Sequence, residues 1–238
     1  LIAHANPPLI DRPGHLTQMK LFDACLLGGL MALALPSQAA GGHHAVDDAA
    51  ILDPGQCQVD TWYDRESGGS RRLLHVGPAC RVGPVELGLN VDRTRPGLDT
   101  GGGAQVKWAK ALNEQLSVGV LVAANWHDVA SRYGFTSLVV PVSWQASQQL
   151  AVHVNAGRDF QPGKPDSSRA GASVEWAPNA SWLGVVERYR ENGVNYARLG
   201  GRWNVSPTLS VDLSRARSLD AVVPPWWTLG VTVVFKEN

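Results

Sequence analysis

The chain has 238 residues, with 21 acidic and 21 basic side chains, 25 Gly, 15 Pro, three Cys, and nine Trp against four Phe. Balanced charge without a basic run argues against a nucleic-acid partner. The Gly- and Trp-rich composition suits a small β-barrel with interfacial aromatics better than a helical protein.

Residues 1–18 hold Pro7, Pro8 and Pro13, have no apolar period and precede the first Met, Met19, so they read as an upstream extension outside the fold. From Met19 the chain shows Lys20, an apolar run from Leu26 to Leu35, then Pro36-Ser37-Gln38-Ala39. These are the basic, apolar and small-residue parts of a secretory signal, so residues 19–39 are read as a signal peptide cleaved after Ala39 or Ala40. The apolar run, about ten residues, is too short for a spanning helix of about twenty. Cys25 leaves with the signal.

Residues 40–55 read as a mobile periplasmic arm. They contain His43-His44 and Asp47-Asp48, a metal cluster only if folded together, and two adjacent His lack the spacing that coordination favours. No metal ligand is therefore assigned. The string Asp47-Asp48-Ala49-Ala50-Ile51-Leu52-Asp53-Pro54-Gly55-Gln56, leading into a segment with Asp60, resembles the opening of outer-membrane barrels in a family named for phenol-degradation (MetA) pathways. That resemblance implies an outer-membrane barrel passing small apolar or aromatic compounds, and it carries over no functional residue.

From residue 56 onward a period of two predicts twelve strands: 56–65, 71–81, 84–93, 103–111, 116–126, 135–145, 150–160, 168–177, 182–190, 194–204, 209–217 and 226–235. Each is about ten residues, the length a tilted membrane strand needs. The fold class is all-β, an antiparallel up-and-down transmembrane barrel over 56–238. Its last strand sets the pattern: Trp227, Leu229, Val231, Val233 and Phe235 make an apolar row opposite Thr228, Gly230, Thr232 and Val234. The same ending recurs at Trp108, Trp144, Trp176 and Trp203, about 32 residues apart. These four Trp with Phe235 form an aromatic girdle at the short-turn end of the strands, which puts the apolar row against lipid.

Connections alternate between long (93–103, 126–134, 160–168, 217–226) and short (112–115, 146–149, 178–181, 205–208), the rule of the bacterial outer membrane, with both termini periplasmic. Outer-membrane lipid is then a partner, and the barrel-assembly machinery would read the C-terminal strand of a monomer. Arg65, Arg71, Arg72, Arg93, Arg95, Arg132, Lys164, Arg188, Arg190, Arg215 and Arg217 lie near the long loops, where lipopolysaccharide phosphates would attract them.

The polar row projects Asp60, His75, Glu86, Asp92, Lys107, His127, His153, Asp159, Arg169, Glu175, Arg198, Arg202 and Asp212 into the lumen. Opposed long charged side chains constrict a narrow barrel, because each buried charge needs a partner. Strand nine breaks the pattern: Glu187 and Arg188 are adjacent, so one faces lipid unless a bulge intervenes. A narrow pore or transporter for small solutes is the leading reading. A structural, lipopolysaccharide-contacting barrel is the alternative. A lipid hydrolase ranks below both: His153 and Asn155 share a face without a Ser two residues along, and the lumen is the wrong face for lipid. The protein is read as a non-enzyme without cofactor: no phosphate loop, Cys-x-x-Cys or His-Glu-x-x-His occurs.

Strands one and two fold back so that opposed residue numbers sum to 137, which sets Tyr63 against Leu74, Thr61 against Val76, Val59 against Pro78 and Cys57 against Cys80. Opposed residues of an antiparallel pair lie within disulfide reach, and the compartment after export is oxidising, so a Cys57–Cys80 bridge is expected.

Overall fold

The computed structural model describes residues 43–69, 72–95, 100–127, 132–220 and 223–236, all within one unit, 37–238. The upstream extension, the signal peptide and Arg71 lie outside the described residues. Twelve strands run in chain order: β1 (Gln56–Glu66), β2 (Arg72–Val82), β3 (Val85–Arg95), β4 (Thr100–Ala111), β5 (Leu116–His127), β6 (Arg132–Ser147), β7 (Leu150–Phe160), β8 (Ser167–Asn179), β9 (Trp182–Glu191), β10 (Val194–Ser206), β11 (Leu209–Ser218) and β12 (Trp226–Lys236). Each pairs antiparallel with its neighbours in sequence, and β1 pairs with β12 from Gln56↔Lys236 to Glu66↔Trp226, closing the barrel. Closure leaves no unpaired strand edge among the described residues, the arrangement that lets strands satisfy their backbone groups without water.

Period two sorts the side chains between two surfaces. Outside, Leu89, Val122, Val140, Val154, Val186, Leu199, Leu213 and Leu229 stand exposed, Leu199 at 66%. Inside, Asp60, His75, Glu86, Lys107, His153, Asp159, Arg198, Arg202 and Asp212 are buried. This is the inverse of a water-soluble barrel, whose apolar row fills the interior. Trp108, Trp144, Trp176, Trp203 and Phe235 are all exposed at the short-turn end, and Trp182 joins them, its ring stacked 6.0 Å from Trp203. Tyr63, Tyr133, Phe160 and Trp227 form an exposed set at the other end.

The β1–β2 register pairs Tyr63 with Leu74, Thr61 with Val76, Val59 with Pro78 and Cys57 with Cys80, and a disulfide joins the two cysteines. The long connections are shorter than their spacing predicts, because strands continue past the apolar band; β6 reaches 16 residues. At the same end β9 and β10 meet at Asn192-Gly193, with φ of 50° and 79°. Both residues occupy the left-handed region that a two-residue hairpin turn requires, where Asn and Gly are best tolerated.

The N-terminal segment departs from expectation. Residues 43–52 contact inward side chains of β3, β4, β6, β7, β9, β10 and β11, which a segment can do only from within the lumen. The predicted periplasmic arm is a plug. Its physical reason is a reversal at Pro54-Gly55, where Gly55 has φ 71° and Gln56 N–H donates to the Asp53 carbonyl at 3.0 Å, turning the chain back into the barrel before β1.

Candidate functional site

The plug is held peptide group by peptide group. Leu52 N–H donates to Glu86 of β3 at 2.9 Å, Ala49 N–H to Ser143 Oγ of β6 at 2.7 Å, and Val46 N–H to Glu187 of β9 at 3.1 Å. Asn155 of β7 meets both backbone groups of Asp47, accepting from its N–H at 2.6 Å and donating to its carbonyl at 2.8 Å. Arg81 Nη1 donates to the Leu52 carbonyl at 2.9 Å, and Arg198 Nη1 donates to the carbonyl of His43. An irregular segment inside a barrel has no ladder of its own, so wall side chains satisfy its backbone groups.

Apolar seats accompany these bonds. Val46, Ala49 and Leu52 are almost fully buried. Gly171 of β8 makes room for Val46, since a Cβ there would stand 2.7 Å from Val46 Cγ2.

Charge pairing follows the same plan. Lys107 reaches Asp48 at 2.9 Å and Asp47 at 3.8 Å, so this inward Lys of the wall is neutralised by the plug. Arg202 binds Asp212 at 2.8 Å, Arg198 lies 3.4 Å from Glu187, and Arg169 joins Asp159 at 2.9 Å and also Glu191. His75 meets Asp92 at 2.6 Å and stacks on Trp62. The structure therefore gathers most of the predicted lumen residues into charge pairs, while Asp60 accepts from Thr232 and Glu86 from the plug. His127 is the exception, exposed at the last position of β5 beyond the bulge at Asn125/Trp126.

Strand nine resolves without a bulge at the doubtful pair: Ala197↔Arg188 and Arg198↔Glu187 run in continuous register, Glu187 inward and 1% exposed, Arg188 outward. The sequence pattern leaves the faces of Glu187 and Arg188 open, and it does not reveal Trp62, Tyr189 or the plug as lumen features. The signal for Glu187 was Val185 and Tyr189, which alternate with the exposed Val186 and Arg188.

Ser143 Oγ lies 2.7 Å from His153 Nδ1, and His153 Nε2 lies 3.5 Å from Glu175, the residue types of a hydrolase triad. Ser143 Oγ also accepts the Ala49 N–H, so the plug lies directly against this group.

A cavity of about 700 Å³ lies against the plug residues His43, His44 and Asp47, and its lining also includes Trp62, Asp92 and Trp226. The lining includes both aromatic rings and carboxylates, groups that can stack a ring and bind its hydroxyls.

A family model described as "Uncharacterised conserved protein UCP029691" matches residues 29–235. The chain belongs to this family. No curated protein matches it in sequence. Among solved structures the family member is similar to the KdgM porin, at TM-score 0.65 and 9% identity over 75% of this chain and 99% of the porin. It is also similar to the NanC porin, at TM-score 0.57 and 10% identity over 76% of this chain and all of that one (100%). The toluene transporter TbuX of Ralstonia pickettii aligns at TM-score 0.46 and 10% identity, over 79% of this chain and 90% of the transporter. The first two likenesses establish a porin-like barrel fold for this family member.

Proposed function

We propose that this protein is a bacterial outer-membrane barrel that passes small solutes and is closed at rest by its own N-terminal segment. The observation that carries the reading is the two-sided wall: an exposed apolar band outside, and inside a charged lumen whose filling is a separable segment of the chain. The cavity of about 700 Å³ suits a small, ring-bearing solute. The likeness of residues 47–56 to the phenol-degradation-pathway barrels supports an aromatic or apolar cargo. Likeness to porins favours passage over catalysis.

Liposome swelling with graded solutes tests this. Liposomes carrying a variant without residues 43–52 are expected to swell with small sugars and phenols, and the full chain to swell little. No swelling by the shortened chain, folded, rejects the pore. Membrane contact has its own test in Leu199→Arg: if the outer row meets lipid, a charge near the midplane costs about 2–4 kcal/mol in urea unfolding from vesicles. A change within about 0.5 kcal/mol is the outcome for a water-facing site.

One observation favours a second reading. Arg65, Arg72 and Arg95 are register partners across β1, β2 and β3, and all three are exposed. Directly opposed like charges repel unless an anion sits between them, and lipopolysaccharide phosphates would do so. A barrel whose task is to contact lipopolysaccharide would keep this row and conduct nothing.

A further inference from the structure

We propose that His43 and His44, at the tip of the plug, form with Asp212 of β11 a binding site for one divalent transition-metal ion of the zinc class. One ligand atom from each residue lies within 4.8 Å of the other two. The second observation is independent of that clustering. His43 is 6% exposed, and among the described residues neither of its ring nitrogens has a hydrogen-bond partner, nor does His44 Nδ1. A buried imidazole with both nitrogens unpaired loses its hydration without return, and a bound ion would restore it.

Around His44 the carboxylates stand back, Glu187 at 3.6 Å and Asp212 at 3.9 Å, both beyond hydrogen-bond reach. Ligands held at ~2.0–2.2 Å from a tetrahedral ion are ~3.4 Å apart, so the two rings and the carboxylate need only close slightly on an ion. Gly230 leaves the space for His43, because a Cβ there would lie 3.3 Å from its Nδ1.

The surroundings support the site. Arg202 holds Asp212 Oδ1 at 2.8 Å and so orients the carboxylate, as outer partners of metal ligands do. Arg198 fixes the His43 carbonyl, placing its ring. Glu187 and Asp212 offset these two guanidiniums, and Asp60, bonded to Thr232 on β12, adds a third carboxylate to balance an incoming cation. Bound, the ion would pin the plug to the wall at β11.

The test is titration of the purified full chain, folded in detergent micelles and free of any polyhistidine tag, with Zn²⁺ by calorimetry and with Co²⁺ by visible absorption. One equivalent is expected to bind, with Co²⁺ ligand-field bands. His43→Ala and His44→Ala should each weaken it by about tenfold or more. Heat-modified gel mobility reports that the variants remain folded barrels. Absence of stoichiometric binding by the full chain overturns the site, as does a His43→Ala, His44→Ala double variant that binds as tightly as the parent. Binding is read without any flux, so its failure is distinct from failure of the pore.

Discussion

A chain lacking residues 43–52 is expected to conduct several-fold more current in planar bilayers than the full chain, and to remain a folded barrel. The barrel persists because its ladder closes through β1 and β12 without the plug, and because Cys57–Cys80 and the Asn192-Gly193 turn lie outside the deleted residues. Conductance rises because the deletion removes Val46, Ala49 and Leu52 from the bore and frees the inner row to be hydrated. Lys107 loses Asp47 and Asp48 but keeps Glu86 opposite it in the β3–β4 register, so the emptied lumen holds no charge that water and a neighbour cannot satisfy. Equal, low conductance from the shortened and full chains would place the constriction elsewhere.

Glu187→Gln is expected to destabilise the folded barrel by about 3–5 kcal/mol, the cost of leaving a buried partner charge uncompensated. Glu187 is buried, accepts the Val46 N–H, and faces Arg198 at 3.4 Å. The amide keeps an acceptor for Val46 but leaves the Arg198 guanidinium without its counter-charge. Adding Arg198→Met should recover most of the loss, since removing both members of a buried pair is far cheaper than removing one. Urea unfolding in lipid vesicles reads both variants. A loss below about 1 kcal/mol for Glu187→Gln would mean that water reaches the pair and the plug does not seal it.

Much of this architecture was legible in the sequence because it depends on period two. Trp108, Trp144, Trp176 and Trp203 mark strand ends at one interface, and the pairing of Cys57 with Cys80 follows once the first hairpin is centred between Ser67 and Ser70. Where alternation held, inward residues such as Asp60, Glu86 and Asp212 could be read directly. At Glu187-Arg188 the charges alone were symmetric, and only the packing of Val185 and Tyr189 on the inner row decides between them. The plug had no period to read. Its contacts are single bonds from Glu86, Ser143, Asn155 and Glu187 to backbone groups, and backbone groups carry no sequence signature. A residual clue was Lys107, an inward Lys whose closest carboxylate, Asp48, comes from outside the strands.

That the N-terminal segment occupies the lumen is the claim on which pore closure and the metal site both rest. Gly171 and Val46 are in contact, so a Val46→Cys, Gly171→Cys pair in a Cys57→Ser, Cys80→Ser background places two thiols within bridging reach. Oxidising this variant after folding and measuring single-channel conductance before and after reductant is the most direct measurement. Expected are a 46–171 cross-link by mass spectrometry and the low conductance of the full chain both before and after reduction, because the seated segment closes the channel with or without the bond. Absence of the cross-link, with the thiol at position 46 freely labelled by a bulky water-soluble reagent in the folded protein, would contradict it.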